Sequence, residues 1–242
     1  MAELDRRARI AGGLYALTLV PGLFSLMYVP SHFIVSGNPA ATIANIVADQ
    51  ALYRLGIVGE VTGAVLWIVV IVALYRLFAD VDRFWALLMA GLGVMAAPVM
   101  LFNTLSELAI LAIVNDPAYA AAFTPPQLQK LVHALLRSHD QGFYLLLVFS
   151  GVWLFPFAVV VWRCGFLPRA LAVLQVVGGL GYMASAGAAL LDPPLYRTID
   201  PVTSLVSFLG ETPAMLWLLI MGAKVRTRGG ALAQAGSAPA GA

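Results

Sequence analysis

Charge is what this sequence has least of. Only 11% of its 242 residues are Asp, Glu, Lys or Arg, against roughly 25% in an ordinary soluble domain. So few charges cannot cover a water-facing surface, which excludes a soluble globular fold. Cysteine is nearly absent as well: the single Cys164 rules out an internal disulfide and any multi-cysteine metal centre. No His-x-x-His, Glu-x-x-His or His-Glu-x-x-His spacing occurs, so no residue is assigned as a metal ligand from spacing and no cofactor is named. The nucleophile pattern Gly-x-Ser-x-Gly, a glycine-rich phosphate loop and a nucleic-acid-binding pattern are missing too.

What is present is apolar length. Hydrophobic residues make up 61% of the chain, in recurring runs of about 20, the length a helix needs to cross a bilayer. The pattern predicts an all-α polytopic bundle of six helices at about 10–29, 51–78, 84–114, 139–162, 170–191 and 202–223. The expected organisation is a short N-terminus over 1–8, a transmembrane domain over 9–224 and a disordered tail over 225–242. The first run exceeds the apolar region of about 7–15 residues found in a signal peptide, so it reads as an uncleaved span. Pro21, Pro98 and Pro156 sit inside apolar runs, where each removes a helical hydrogen bond and predicts a kink.

Interfacial helices are expected in the first and third connections. Asn38-Pro39 is a good helix start, with Asn as the cap and Pro at the first position. Thr124-Pro125-Pro126-Gln127 fits a capping box. The amphipathic stretch after it is expected to run on into the fourth span. Residues 192–201, with Pro193, Pro194 and Pro201, read as a rigid polar connection.

Six spans place both termini on one side. Ten Lys and Arg residues then fall on that side, and four (Arg54, Lys130, Arg137 and Arg197) on the other. The positive-inside rule puts the termini in the cytoplasm, in an inner membrane.

Polar groups within the apolar runs are the functional candidates, because an ionised side chain at the bilayer centre costs about 2.5–3.5 kcal/mol or more. At about 1.5 Å per residue, Glu60, Glu107 and Glu211 are expected at similar depth in the extracytoplasmic half, with Arg54 and Asn103 as partners. His139 and Asp140 stand at the mouth of the fourth span. Helical spacing turns His139 inward and leaves Asp140 on the rim with Arg137. A ligand-binding set of Glu60, His139, Glu211, Asn103, Glu107, Arg54 and Asp140 follows. Each of these groups has an equally plain reading as a hydrogen-bonding link between helices.

Several short motifs appear in order: Ala8-Arg9-Ile10-Ala11-Gly12-Gly13-Leu14-Tyr15, Ala40-Ala41-Thr42-Ile43-Ala44-Asn45-Ile46, Arg54-Leu55-Gly56, His139-Asp140-Gln141-Gly142-Phe143, Gly165-Phe166-Leu167-Pro168-Arg169, Gly179-Leu180-Gly181-Tyr182 and Leu209-Gly210-Glu211. Together they resemble a bacterial membrane family known as domain of unknown function 4386. The resemblance implies a six-span membrane protein and carries no activity with it. Asn103, the His-x-x-Gly-Phe segment and Glu211 match the family's pattern, and Glu107 is not a matched position. Three function classes stand open: binding or transport of a small ligand or ion, an intramembrane enzyme, metal-dependent or not, acting on a lipid or lipophilic substrate, and a non-catalytic accessory or sensor protein. No internal repeat is evident, which disfavours a repeat-built transporter.

Overall fold

The computed structural model describes residues 2–223; the expected tail over 225–242 lies outside the described residues. Eight helices follow one another, and no strand occurs among the described residues. We label them α1 (Ala2–Phe33), α2 (Pro39–Ala48), α3 (Gln50–Phe78), α4 (Arg83–Asn115), α5 (Pro117–Ala122), α6 (Pro125–Cys164), α7 (Arg169–Leu191) and α8 (Pro193–Ile220). Six of them, all but α2 and α5, are long and apolar enough to cross a membrane. Their outward faces are greasy: Leu191 is 88% exposed and Phe102 74%. Exposed apolar surface on that scale needs a non-aqueous partner, and the chain is a multi-pass membrane protein.

The helix breaks fall where proline dictates. α1 is interrupted at Thr18, next to the Leu17 carbonyl that Pro21 cannot serve. It then widens into a π turn over Phe24–Tyr28, where the Val29 N–H reaches back to the Phe24 carbonyl. This is the stretch that Pro30 leaves short of a donor. α4 breaks at Met95 ahead of Pro98, and α6 at Trp153 ahead of Pro156. Asn38 caps α2 by accepting the Ala41 N–H at 3.0 Å. At the start of α6, Gln127 Oε1 accepts the Thr124 backbone N–H at 2.8 Å.

Two stretches differ from expectation. Residues from Ala2 are already helical, and Glu3 pairs with Arg7 at 3.0 Å and Asp5 with Arg9 at 2.9 Å, each one turn apart. The proline-rich stretch 192–201 is a tight turn followed by helix rather than a rigid connection. Asp192 caps α8 by accepting the Leu195 N–H at 3.2 Å. Pro193 and Pro194 occupy the first helical positions, where a missing N–H costs nothing.

Two apolar cores divide the bundle. The half nearer the termini packs Tyr15, Leu74, Phe78, Met89, Trp153, Phe157 and Leu218. The far half packs Phe33, Ile46, Tyr53, Ile57, Ile110 and Val132. Near the termini, Arg9 donates to the Ile220 carbonyl at 2.9 Å and Asp5 accepts the Ala223 N–H at 3.1 Å, tying α1 to the end of α8. Close approach there depends on glycine. A Cβ on Gly12 would meet the backbone of Leu218 and Leu219, and one on Gly210 would meet the Gly178 backbone. Glycines thus line the closest helix contacts, while large apolar side chains both fill the two cores and cover the outer surface, as small-residue packing between membrane helices allows.

Candidate functional site

α3, α4 and α6 bring three ionisable side chains together in the far half. Glu60 on α3 is only 5% exposed, and its Oε1 stands 3.3 Å from Nε2 of His139 on α6. Glu107 approaches from α4, so that one ligand-type atom from each of Glu60, Glu107 and His139 lies within 4.8 Å of the others. Local packing explains the convergence. Gly59 precedes Glu60, and a Cβ there would overlap Ser25 Oγ in the π turn of α1. Gly142 lies three residues after His139, and a Cβ there would overlap the Asn103 amide, one turn before Glu107. The two glycines let α1 and α4 press against the helices that carry the site.

The cluster is short of hydrogen-bond partners. Among the described residues, Glu107 Oε2, His139 Nε2, Tyr53 Oη and Ser25 Oγ are buried with no hydrogen-bond partner. The Glu60–His139 contact brings the two groups together without completing a hydrogen bond for Nε2. A buried polar group left unsatisfied costs about 1–3 kcal/mol, more if charged, so these four atoms carry a cost that a bound ligand or water would relieve.

A cavity of about 250 Å³ adjoins the cluster, lined by Phe33, Pro39, Tyr53, Glu107, His139, Asp140 and Arg137 among others. The end of α1 and the turn into α2 form its outer wall. A wider groove of about 850 Å³ runs along the neighbouring face of α6, past Asn103, Ser106, Asp140 and Tyr196. Asp140 is exposed and lines both spaces, while His139 is turned in toward Glu60. Asn103 and Glu60 share a void of about 10 Å³ beside Gly142, close to the volume that one water's centre needs.

Two expected members lie elsewhere. Arg54 is exposed, and the only ion-pair partner of Glu60 among the described residues is His139. Six residues of α-helix turn the face by about 240°, which carries Arg54 away from Glu60. Tyr53, seven residues before Glu60, returns to within about 20° of it and is the group that spacing should have found.

Glu211 sits in a separate chamber. It accepts hydrogen bonds from the hydroxyl of Tyr15 on α1 and, at 2.9 Å, from that of Tyr182 on α7. A cavity of about 240 Å³ beside it is lined by Trp67, Ser150, Trp153 and Thr212 among others. The expected match in depth with Glu60 does not hold, because α8 begins at Pro193. Glu211 therefore stands about 27 Å along its helix, and Glu60 about 15 Å along α3.

The residues that build both chambers run from Tyr15 to Glu211, nearly the whole chain. A family model described as a domain of unknown function, DUF4386, matches residues 10–222. The chain belongs to the DUF4386 family. The match takes in every membrane helix and every residue of both chambers, so the DUF4386 unit is the bundle itself. An uncharacterized protein of Archaeoglobus fulgidus is 30% identical over 113 residues, which is 44% of this chain and 60% of the relative. The chain thus covers under two thirds of that relative's length. No solved structure matches the chain.

Proposed function

We propose that this DUF4386 protein binds a small cation, metal ion, proton or protonated ligand, in the pocket formed by Glu60, Glu107 and His139, with Asp140 and Asn103 at its margins. The observation that carries the reading is the pairing of a buried and a half-buried carboxylate with an imidazole among unpartnered polar atoms, beside a cavity. Two carboxylates in a low-dielectric interior repel each other, and a bound positive charge offsets both that repulsion and their desolvation. The ten-to-four split of Lys and Arg supports a cytoplasmic-membrane location with cytoplasmic termini. On that orientation the pocket opens to the extracytoplasmic side, and residues 9–224 are the working domain.

The test is a thermal-stability screen of the purified full-length protein in detergent against protons, alkali cations, divalent cations and small amines. Ligand that binds only the folded state at 100 times its Kd stabilises by about 2.7 kcal/mol. At least one cation should raise Tm in the wild type and leave Glu107→Gln unmoved. A screen in which no cation shifts the wild type overturns the proposal.

A further inference from the structure

We infer that Glu60, Glu107 and His139 form a site for one divalent first-row transition cation, with Tyr53 holding a water or ligand in its open position. The inference rests on the cation-binding reading above and narrows it to a chemical class.

Ligand chemistry carries the first step. Two carboxylate oxygens and one imidazole nitrogen suit Zn, Fe or Mn rather than the all-oxygen shells of Mg and Ca. Two carboxylates balance a dipositive charge, so the occupied site is neutral in an apolar interior where separated charges are expensive. Geometry carries the second. Ligands bound about 2.0–2.1 Å from a tetrahedral ion stand about 3.3 Å apart. The His139 Nε2 to Glu60 Oε1 distance is 3.3 Å, too long for a good charge-assisted hydrogen bond and right for two ligands of one ion.

The unpartnered atoms are a third and independent observation. Among the described residues, His139 Nε2 and Glu107 Oε2 are both buried lone-pair donors without a hydrogen bond, as metal ligands are before the metal arrives. Tyr53 is 4% exposed, its hydroxyl has no partner among the described residues, and it lines the same cavity as Glu107 and His139. Three protein ligands with a fourth position facing a cavity is the pattern of an open rather than a closed site.

The experiment is a titration of the metal-stripped full-length protein with Co²⁺, whose visible absorption reports coordination as well as occupancy. Wild type should bind one equivalent, with the intense visible bands of a four- or five-coordinate site, and Zn²⁺ should displace it. Glu107→Gln and His139→Gln, which keep size and polarity, should each weaken Co²⁺ by roughly 100-fold or more, and Tyr53→Phe by roughly 10-fold, as outer groups do. The Tyr53→Phe spectrum should change while its stoichiometry holds, a result that loss of folding would not give. Absence of a stoichiometric Co²⁺ spectrum in the wild type overturns the inference, as does unchanged binding in a folded Glu107→Gln/His139→Gln double variant. If an alkali cation or an amine raises Tm while Co²⁺ and Zn²⁺ do not bind, the metal assignment falls and the cation pocket stands. If nothing binds, both fall.

Discussion

Two buried carboxylate sites occupy the same bundle and solve the same problem in opposite ways. Glu211 is surrounded by donors: Tyr15 and Tyr182 each give it a hydroxyl hydrogen, and Gln175 reaches its backbone carbonyl at 3.5 Å. Glu60 and Glu107 have a histidine at hand and, among the described residues, no hydroxyl bonded to either, although Tyr53 and Ser25 are buried there without partners among those residues. A carboxylate that the fold has already satisfied has little left to offer a ligand. A pair that the fold has brought together and left unsatisfied stores a demand for positive charge. The contrast is between a carboxylate whose partners the fold supplies and a pair whose partners it does not, with residues of one type in one apolar environment.

The largest expected effect strikes the Glu211 side. Gly210→Leu would force a side chain into the Gly178 backbone, and backbone yields less than a side chain. Overpacking usually costs about 1–3 kcal/mol. Here the loss should exceed about 3 kcal/mol and pull Tyr182 off Glu211, seen as aggregation on size-exclusion chromatography. A variant that runs and melts like the wild type would mean that α7 and α8 are not this close. Next in size, Tyr15→Phe and Tyr182→Phe each leave a buried acceptor short of a donor and should cost about 1–3 kcal/mol, read as a lower Tm in any buffer and with any cation.

At the other site the sign should reverse. Without bound cation, Glu107→Gln removes the half-buried carboxylate that faces the buried Glu60. Replacing buried charge by a neutral group is often neutral or stabilising, so the cation-free variant should gain about 1 kcal/mol. With saturating Co²⁺ the order inverts, because only the wild type draws binding energy from the ion. If Glu107→Gln and Tyr15→Phe move Tm the same way under both conditions, the distinction between the two sites collapses.

Much of this was readable in the residues. Six apolar runs, three proline breaks and two caps placed the helices, because span length and backbone hydrogen bonding are local properties. The inward turn of His139 and the exposure of Asp140 also follow from helical spacing. The grouping of the acids did not. Glu211 looked level with Glu60 only because Pro193, Pro194 and Pro201 read as an end to helix, whereas two of them start it. Arg54 is the nearest opposite charge to Glu60 in sequence, but Tyr53 shares its face. Metal-ligand spacing was silent because the candidate ligands come from three helices, and no local pattern encodes a set assembled by packing. Tyr15 and Tyr182 stood inside the family-like motifs, and their hydroxyls became informative only once Glu211 lay between them.

The smallest effect belongs to a third carboxylate, which sets the scale for the other two. Asp82 lies in the turn between α3 and α4, outside the spans, where it accepts the Trp85 N–H at 3.2 Å and pairs with Arg163. The Trp85 amide, and then the Arg163 guanidinium, hold its carboxyl below the usual carboxylate range. A carboxyl with a lowered folded pKa contributes stability above its unfolded value of about 3.9 and loses it as pH falls through the folded value. Asp82→Asn keeps a capping oxygen and should lower Tm slightly near neutrality. It should also flatten the wild type's loss of Tm below about pH 4, and salt should shrink the difference because the pair is exposed to water. A drop as large as that of Tyr15→Phe would mean that a carboxylate in a turn outside the spans matters as much as one inside the bundle, and the apolar surroundings would then no longer explain why Glu211 needs its two tyrosines.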